Sequence, residues 1–288
     1  MNRSARPAPR HALDCQLSPR VPDSGLRAEM TAFYKNNEEY AHLQASHPPE
    51  YFARLLSVMN VVLTRPQLQI IEIGAGSAGA ISSFLSAKPD ARAIAMELSP
   101  ASLRTTRDRG VSRLLAVAGN ALQLPFRDRS VDAVVAFEVI EHLPDVAQAL
   151  DEVLRVLRRP GYIIIGLPNH ASLWTPLEDA VRRRDRRAFG VERGRGAWRW
   201  WRRNAWLTWR KRIARHVEFL YRQPVLSAVH GGDADAVYYA APIDLLRFFR
   251  SRGAELVMTD AEARLGALGR CVPVEMQGST VLAWRAER

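Results

Sequence analysis

The run I-E-I-G-A-G-S-A-G-A sets Gly74, Gly76 and Gly79 between an apolar stretch and a helical one. A G-x-G-x-x-G turn brings backbone N–H groups close to a ligand, and in dinucleotide folds that ligand is a pyrophosphate. Glu72 argues against a pyrophosphate here. It lies two residues before the first glycine, where a carboxylate would repel phosphate and suit a cationic ammonium group. Glu97 ends the next apolar stretch, 21 residues after Gly76, where doubly wound folds place an acid that accepts both ribose hydroxyls. A ligand with a ribose, a free amine and no phosphate suits both acids, and S-adenosylmethionine is such a ligand. A further group, E-V-I-E-H, supplies Glu138, Glu141 and His142. His142 could act as a base toward a hydroxyl, which cannot ionise unaided near neutral pH. The same three residues could ligate a divalent metal. Alternatively, Glu141 caps its helix and His142 is a hydrogen-bonded core histidine. His170, in L-P-N-H, is a second candidate base, or a surface histidine at a loop end. No metal site is assigned from the sequence.

The elements that must position these residues alternate. L-Q-I-I-E-I (68–73), A-R-A-I-A-M-E-L (91–98), V-S-R-L-L-A-V-A-G, S-V-D-A-V-V-A-F-E-V and Y-I-I-I-G-L-P read as five strands, separated by helical segments. One of these, S-P-A-S-L-R-T-T-R-D-R-G, opens on a Ser-Pro start and stops at Gly110. Another, D-V-A-Q-A-L-D-E-V-L-R-V-L-R-R-P-G, puts Val146, Leu150, Val153, Leu154 and Leu157 on one face, with Gly161 past its end. The alternation lapses over 171–237. It resumes with a helix stopping at Gly253, a sixth strand, and S-T-V-L-A-W-R-A as a seventh. The pattern predicts an α/β, Rossmann-like, seven-stranded and mostly parallel sheet with helices on both faces and a helical insertion after strand five. The expected organisation is a disordered leader over 1–27, a ligand-binding domain over 28–170 and 238–288, and a basic, Trp-rich helical insertion over 171–237.

The net charge of +11 is local. Residues 181–222 hold fifteen Lys+Arg against three Asp+Glu, leaving 26 basic and 27 acidic residues elsewhere. The partner question therefore belongs to this one segment. It also holds five of the seven Trp: Trp198, Trp200, Trp201, Trp206 and Trp209. Trp198, Trp201, Ala205, Trp209, Ile213, Val217 and Leu220 recur at helical spacing, with Arg between them. Three readings of this pattern stay open: a helix lying on anionic lipid, a nucleic-acid contact, or a cap whose Trp stripe packs on the core. Two Cys far apart make no disulfide framework, and the N-terminal run lacks the apolar centre of a secretory signal. The expected location is cytoplasmic, with peripheral contact at the inner face of the membrane as the extension of the lipid reading.

Taken with the glycine loop, the run G-N-A-L-Q-L-P-F-R-D-R-S-V-D-A-V-V-A-F-E-V-I-E-H-L-P-D resembles the class I S-adenosylmethionine-dependent methyltransferases. The likeness is greatest to the group that includes the ubiquinone and menaquinone biosynthesis enzymes. It covers 68–168 well and 239–286 loosely. Two departures stand out: Ala78 occupies the usual place of the third glycine, and Asn120 replaces the usual Asp at the adenine amine. The resemblance implies S-adenosylmethionine as cofactor. Glu72, Gly74, Ala75 and Gly76 would border its methionine part, Glu97 would hold the ribose, and Leu98 would pack on adenine. Asn120 and Ala121 would meet the adenine edge, and Phe137 would present backbone to the methionine amine. Tyr34 or Tyr40 could close over the cofactor, or both could be surface residues. The expected activity is methyl transfer to a hydroxyl or carbon of a small amphipathic, lipid-linked or envelope-sugar acceptor, brought to the site by residues 196–222. The alternatives are an RNA methyltransferase, with His170 or His216 completing a metal set, and a non-catalytic adaptor of the same fold.

Overall fold

The seven apolar runs form β1 (Gln69–Ile73), β2 (Arg92–Glu97), β3 (Leu114–Ala118), β4 (Val131–Phe137), β5 (Leu157–Pro168), β6 (Ala254–Thr259) and β7 (Ser279–Ala286). They pair in the order β3-β2-β1-β4-β5-β7-β6, parallel except for β7, which runs antiparallel to both neighbours. The computed structural model describes residues 17–175, 195–227 and 233–287. The expected leader up to residue 16, and residues 176–194 and 228–232 of the expected insertion, lie outside that set. The expected boundary at residue 27 falls inside a helix. Ser18 bridges to Tyr221, and α1 (Ser24–Asn36) starts at an Asp23 cap that accepts from Leu26 N–H. The chain continues as α2 (Glu38–Ala45), capped by the Asn37 side chain, and after a 3₁₀ turn at Pro49–Phe52 as α3 (Ala53–Val62).

The strands are apolar on successive residues because both sheet faces are covered. Ile71, Ile73, Val134, Ala136, Ile163 and Ile165 pack with Leu150 and Val153 of α6 (Val146–Val156) and Phe248 and Phe249 of α8 (Pro242–Ser251). Ile70, Ala93, Ala95, Val135 and Ile164 face Leu55, Val58 and Met59 of α3 and Ile81 and Phe84 of α4 (Gly79–Ala87). α5 (Pro100–Asp108) and α9 (Asp260–Leu265) complete the helices outside the insertion. One expected boundary moves. α6 stops at Val156, and the chain enters β5 directly at Leu157, so Gly161 is a strand residue rather than a helix stop. A Cβ there would lie 2.3 Å from the Arg158 carbonyl oxygen.

The described part of the insertion is α7 (Arg195–Ile213), an extended return in which Tyr221 bridges Ser18 and Tyr238, and a short turn at Asp233–Asp235. α7 turns Trp200, Asn204, Leu207, Thr208 and Lys211 inward. Asn204 donates to the carbonyls of His170 and Ser172, and the Lys211 ammonium, itself buried, meets buried Asp244 of α8 at 2.5 Å. The stripe read from the sequence faces the other way: Trp198, Trp209 and Ile213 are exposed. Val217 and Leu220 lie beyond the helix end, and Leu220 accepts from Tyr239 N–H in the return.

Candidate active site

A cavity of about 180 Å³ lies at the C-terminal edge of β1, β2 and β4. All nine residues expected at the cofactor line it: Glu72, Gly74, Ala75, Gly76, Glu97, Leu98, Asn120, Ala121 and Phe137. Tyr34 of α1 and Tyr40 of α2 line it too. They are therefore not ordinary surface tyrosines.

The glycine loop is shaped as its composition requires. Gly74 takes φ +62°, and a Cβ there would fall 2.4 Å from Val139 Cγ2. Ala78, the departure from the glycine pattern, is held at φ 57° as the cap of α4. This left-handed conformation is paid for by an L-residue at about 1 kcal/mol or more. Gly79 is consequently the first residue of α4, close against the Phe52 ring.

The two acids beside the loop are held differently. Glu97 accepts from Gly76 N–H at 3.0 Å through Oε2, and from Leu98 and Ser99 N–H at 2.6 and 3.0 Å through Oε1. Its carboxylate is thus fixed in place, with Oε1 fully used and one lone-pair site left on Oε2 for a ribose hydroxyl. Glu72 is buried, and its Oε2 has no hydrogen-bond partner among the described residues. Burial, with a smaller push from Glu97, raises its pKa to about 8. An unpartnered buried carboxyl on a cavity wall calls for a cationic donor. Asn120 Oδ1 already accepts from Leu122 N–H at 2.9 Å, so one lone pair and the amide N–H groups remain for a ligand.

On the opposite wall, Glu138 stands just past β4 at φ 53°, a left-handed conformation unusual for a non-glycine residue and often found at functional sites. A short 3₁₀ turn, Ile140–His142, follows it. His142 lines the cavity, while Glu141 lies completely buried behind it. His142 Nδ1 is 3.2 Å from Tyr34 Oη and 3.4 Å from Asp235 Oδ2, and Tyr34 O–H donates to the same Asp235 oxygen at 3.1 Å. Since the tyrosine's only proton goes to Asp235, the contact with His142 assigns the imidazole proton to Nδ1. Nε2 keeps its lone pair, with Glu141 Oε1 3.8 Å away. Burial and the charge of Asp235 hold the Tyr34 and Tyr40 phenols well above their ordinary range.

The structure also brings in residues that the sequence gave no reason to group. Asp233 and Asp235, which look like turn residues in G-G-D-A-D, return from the insertion to the end of β4, and Val237 and Tyr238 N–H both donate to the Glu141 carbonyl. Glu138, Glu141 and Asp233 each offer a carboxylate oxygen, all within 4.8 Å of one another, a set that could hold a cation. Neither oxygen of Glu141 has a hydrogen-bond partner among the described residues. Burial and the neighbouring Glu138 raise its pKa well above the usual range. Burial and Asp233 raise that of Glu138 to about 7, against a lowering by Arg54. His170 is not a surface base. It is buried, its Nδ1 accepts from Ala240 N–H, and its Nε2 lies 3.1 Å from Asp233. Burial depresses its pKa. It serves to hold Asp233, and it does not complete a metal set; His216 is exposed beyond the end of α7.

An open parallel sheet with one antiparallel strand at positions 5-7-6, and a cavity lined by a glycine loop and an acid ending β2, define the class I methyltransferase fold. Residues 71–165 match the family model described as "Methyltransferase domain". This stretch, a third of the chain, is an S-adenosylmethionine-dependent methyltransferase domain, and the cofactor of that fold is S-adenosylmethionine. Demethylmenaquinone methyltransferase of Thermobifida fusca is 37% identical over 100 residues, 33% of this chain and 42% of that protein. The chloroplastic tocopherol O-methyltransferase of Arabidopsis thaliana is 33% identical over 110 residues, 36% of this chain and 31% of that one. The matched stretches span between 21% and 42% of the length of the first curated relatives. Among solved structures, a complex between the Haloferax volcanii Trm112 methyltransferase activator and a protein assigned as a methyltransferase aligns with a TM-score of 0.53. That match has 13% identity and covers 88% of this chain and 99% of the other. It shows the fold alone.

The residues present fit this cofactor. It carries an ammonium for the orphaned Glu72 oxygen and a ribose diol for Glu97, and it has no phosphate to meet either acid.

Proposed function

We propose that this protein transfers a methyl group from S-adenosylmethionine to a hydroxyl of a small amphipathic, lipid-linked acceptor. One observation carries the choice of a hydroxyl: His142 is held through Nδ1 by Tyr34 and Asp235, with the Nε2 lone pair unused, on the wall of the cofactor cavity. A carbon nucleophile would need less help than this arrangement offers.

In this reading Glu72 binds the ammonium, Glu97 binds the ribose, and Leu98, Asn120 and Ala121 frame the adenine. Phe137 closes the methionine end with its backbone. The cofactor supplies an electrophilic methyl group and a neutral thioether leaving group. His142 Nε2 would take the hydroxyl proton of the acceptor, whose oxygen would then receive the methyl group that the cofactor supplies. Asp235 fixes the imidazole and stabilises the imidazolium. Tyr34 and Tyr40 cover the site from the N-terminal helices and exclude water. The acceptor enters from the side of the insertion, and residues 196–222 bring the protein into peripheral contact with an anionic membrane where such an acceptor resides. The expected location is accordingly the cytoplasm and the inner membrane face.

The test is transfer of labelled methyl from S-adenosylmethionine to fractionated lipids, polar metabolites and RNA of the source cells, with wild type and His142→Ala side by side. Label in a lipid hydroxyl that disappears with His142→Ala is the expected result. Label confined to RNA, or undiminished in the variant, would overturn the reading.

A further inference from the structure

We propose that the outward face of α7 is a docking surface for an anionic lipid bilayer. The inference rests on the preceding reading for its purpose, but on separate observations for its substance.

α7 is fixed on the core mainly by its inner face, with exposed Arg212 adding a pair to Glu275 at 2.7 Å. Asn204 is bonded to the segment after β5, Lys211 is paired with Asp244, and the Arg247 guanidinium donates to the carbonyls of Lys211 and Ala214. The opposite face holds Trp198, Trp206, Trp209 and Ile213, which are 56, 54, 57 and 61% exposed. Their spacing, with exposed Arg202 between them, makes one continuous stripe along the helix. Large aromatic side chains are rarely left this open in a row unless something covers them. Arg199 and Arg212 are exposed beside the stripe, and Arg195–Ile213 contains no acidic residue against seven Lys and Arg.

The charge selects the occupant. A second copy docked face to face would set exposed Arg199 and Arg202 against the same Arg residues of the other copy, with no acidic residue of α7 to offset them. A protein partner would have to set acidic groups against the interleaved Arg as well as an apolar surface against the rings. A nucleic acid would need open ring faces for stacking. Here Trp198 and Trp201 cover each other, stacked at 5.0 Å and 6°, and the Arg210 guanidinium lies 5.5 Å from the centre of the Trp206 ring. Tryptophan edges and an isoleucine at the level of lipid carbonyls, with guanidinium groups reaching phosphate, suit an anionic interface. No described helix is long and apolar enough to cross a membrane, so α7 would lie along the surface. Its inner bonds to the His170–Ser172 segment would then hold the C-terminal edge of the sheet, where the cofactor cavity lies, beside the lipid.

The test is flotation of the full chain with phosphatidylcholine vesicles, with and without phosphatidylglycerol. Wild type, Trp206→Ser/Trp209→Ser and His142→Ala would be compared. Anionic vesicles should bind wild type and His142→Ala alike, and the double Trp variant about tenfold or more weakly, with binding reduced by salt. The substituted side chains are exposed, so the double variant should keep its melting temperature and its affinity for S-adenosylmethionine; Arg202→Ser is a second variant that lowers binding through charge alone. Equal flotation of the Trp variant, no preference for anionic vesicles, or tighter salt-resistant binding to single-stranded RNA lost with the same two Trp would each overturn the docking surface. Loss of cofactor binding or methyl transfer with flotation intact would instead overturn only the proposed activity.

Discussion

Glu97 and Glu141 are both acids at the C-terminal edge of the parallel sheet, yet Glu97 accepts three backbone N–H groups and neither oxygen of Glu141 accepts any. Glu97 is served by residues beside it in sequence and by the glycine loop one strand away. Glu141 is surrounded by Glu138, Asp233 and Asp235, brought together by the return of the insertion. The cofactor wall is thus pre-organised by local backbone. The opposite wall around Glu138, Glu141 and His142, the acceptor wall of the proposed reading, is held by tertiary contacts, with like charges crowded at low dielectric. An ordered binding wall costs little when the ligand arrives, whereas a crowded one stores free energy that a proton or a cation can release.

The largest effect that could break this contrast lies on the acceptor wall. His142→Ala should lower kcat by about 100- to 10,000-fold, the usual worth of a positioned general base. The affinity for S-adenosylmethionine in calorimetric titration should stay within about twofold, because the ring does not hold the cofactor. An unchanged kcat would make the acceptor wall a structural feature only. Next in size, Glu97→Ala should weaken cofactor binding by about 100-fold, since a charge-assisted hydrogen bond worth roughly 1.5–3 kcal/mol is lost together with the loop's anchor. An affinity within a few-fold of wild type would show that the glycine loop binds without its acid.

Asp235→Asn sharpens the contrast at a smaller scale. It keeps the shape of the contact with His142 Nδ1 and Tyr34 but removes the charge. We expect kcat to fall about tenfold or more, with KM, cofactor affinity and melting temperature unchanged. A general loss of stability, or a rise in KM alone, would instead mark Asp235 as a packing residue of the return loop.

The two walls also differ in how much of them could be read from the sequence. Glu72, the glycines and Glu97 belong to two consecutive strand–turn units, so period, spacing and turn chemistry place them together. All seven strands were visible for the same reason: each is a short apolar run closed by a turn. Asp233 and Asp235 gave no such signal. G-G-D-A-D has the composition of any turn, and it reaches His142 only because Tyr221 and Tyr238 bridge and Glu141's carbonyl takes two N–H groups. His170 was misjudged because a histidine after Pro168 and Asn169 reads as a loop end. Only the closing residues from Asp233 to Ala240, which bond both of its ring nitrogens, bury it. The Trp stripe was correctly read as periodic, but period cannot say which face turns inward. That choice was made by Asn204 and Lys211, polar residues whose inward partners His170, Ser172 and Asp244 lie 32 or more positions away.

The smallest effect tests the remaining acid, Glu72, which belongs to the cofactor wall but is unsatisfied like the acceptor wall. Its pKa of about 8 in the folded protein lies above the ordinary carboxyl value of 4.5. The protonated form is therefore favoured by folding, so the contribution of Glu72 to stability is present at low pH and is lost as pH rises through 8. The loss accumulates between about pH 4.5 and 8 and is at most on the order of 5 kcal/mol. Cofactor binding should run the opposite way. The ammonium requires the carboxylate, so below pH 8 binding must expel a proton, and affinity should rise by at most about tenfold per pH unit before levelling near 8. Calorimetric titrations at pH 7 in two buffers of different ionisation enthalpy would count that proton directly. Glu72→Gln should bind S-adenosylmethionine more weakly, release no proton, and melt higher than wild type at pH 8 in the absence of ligand. A wild-type enthalpy independent of buffer would show that Glu72 is already ionised before the cofactor arrives. The contrast between a satisfied and an unsatisfied wall would then fall along the line between β1 and β4 rather than between β2 and β1.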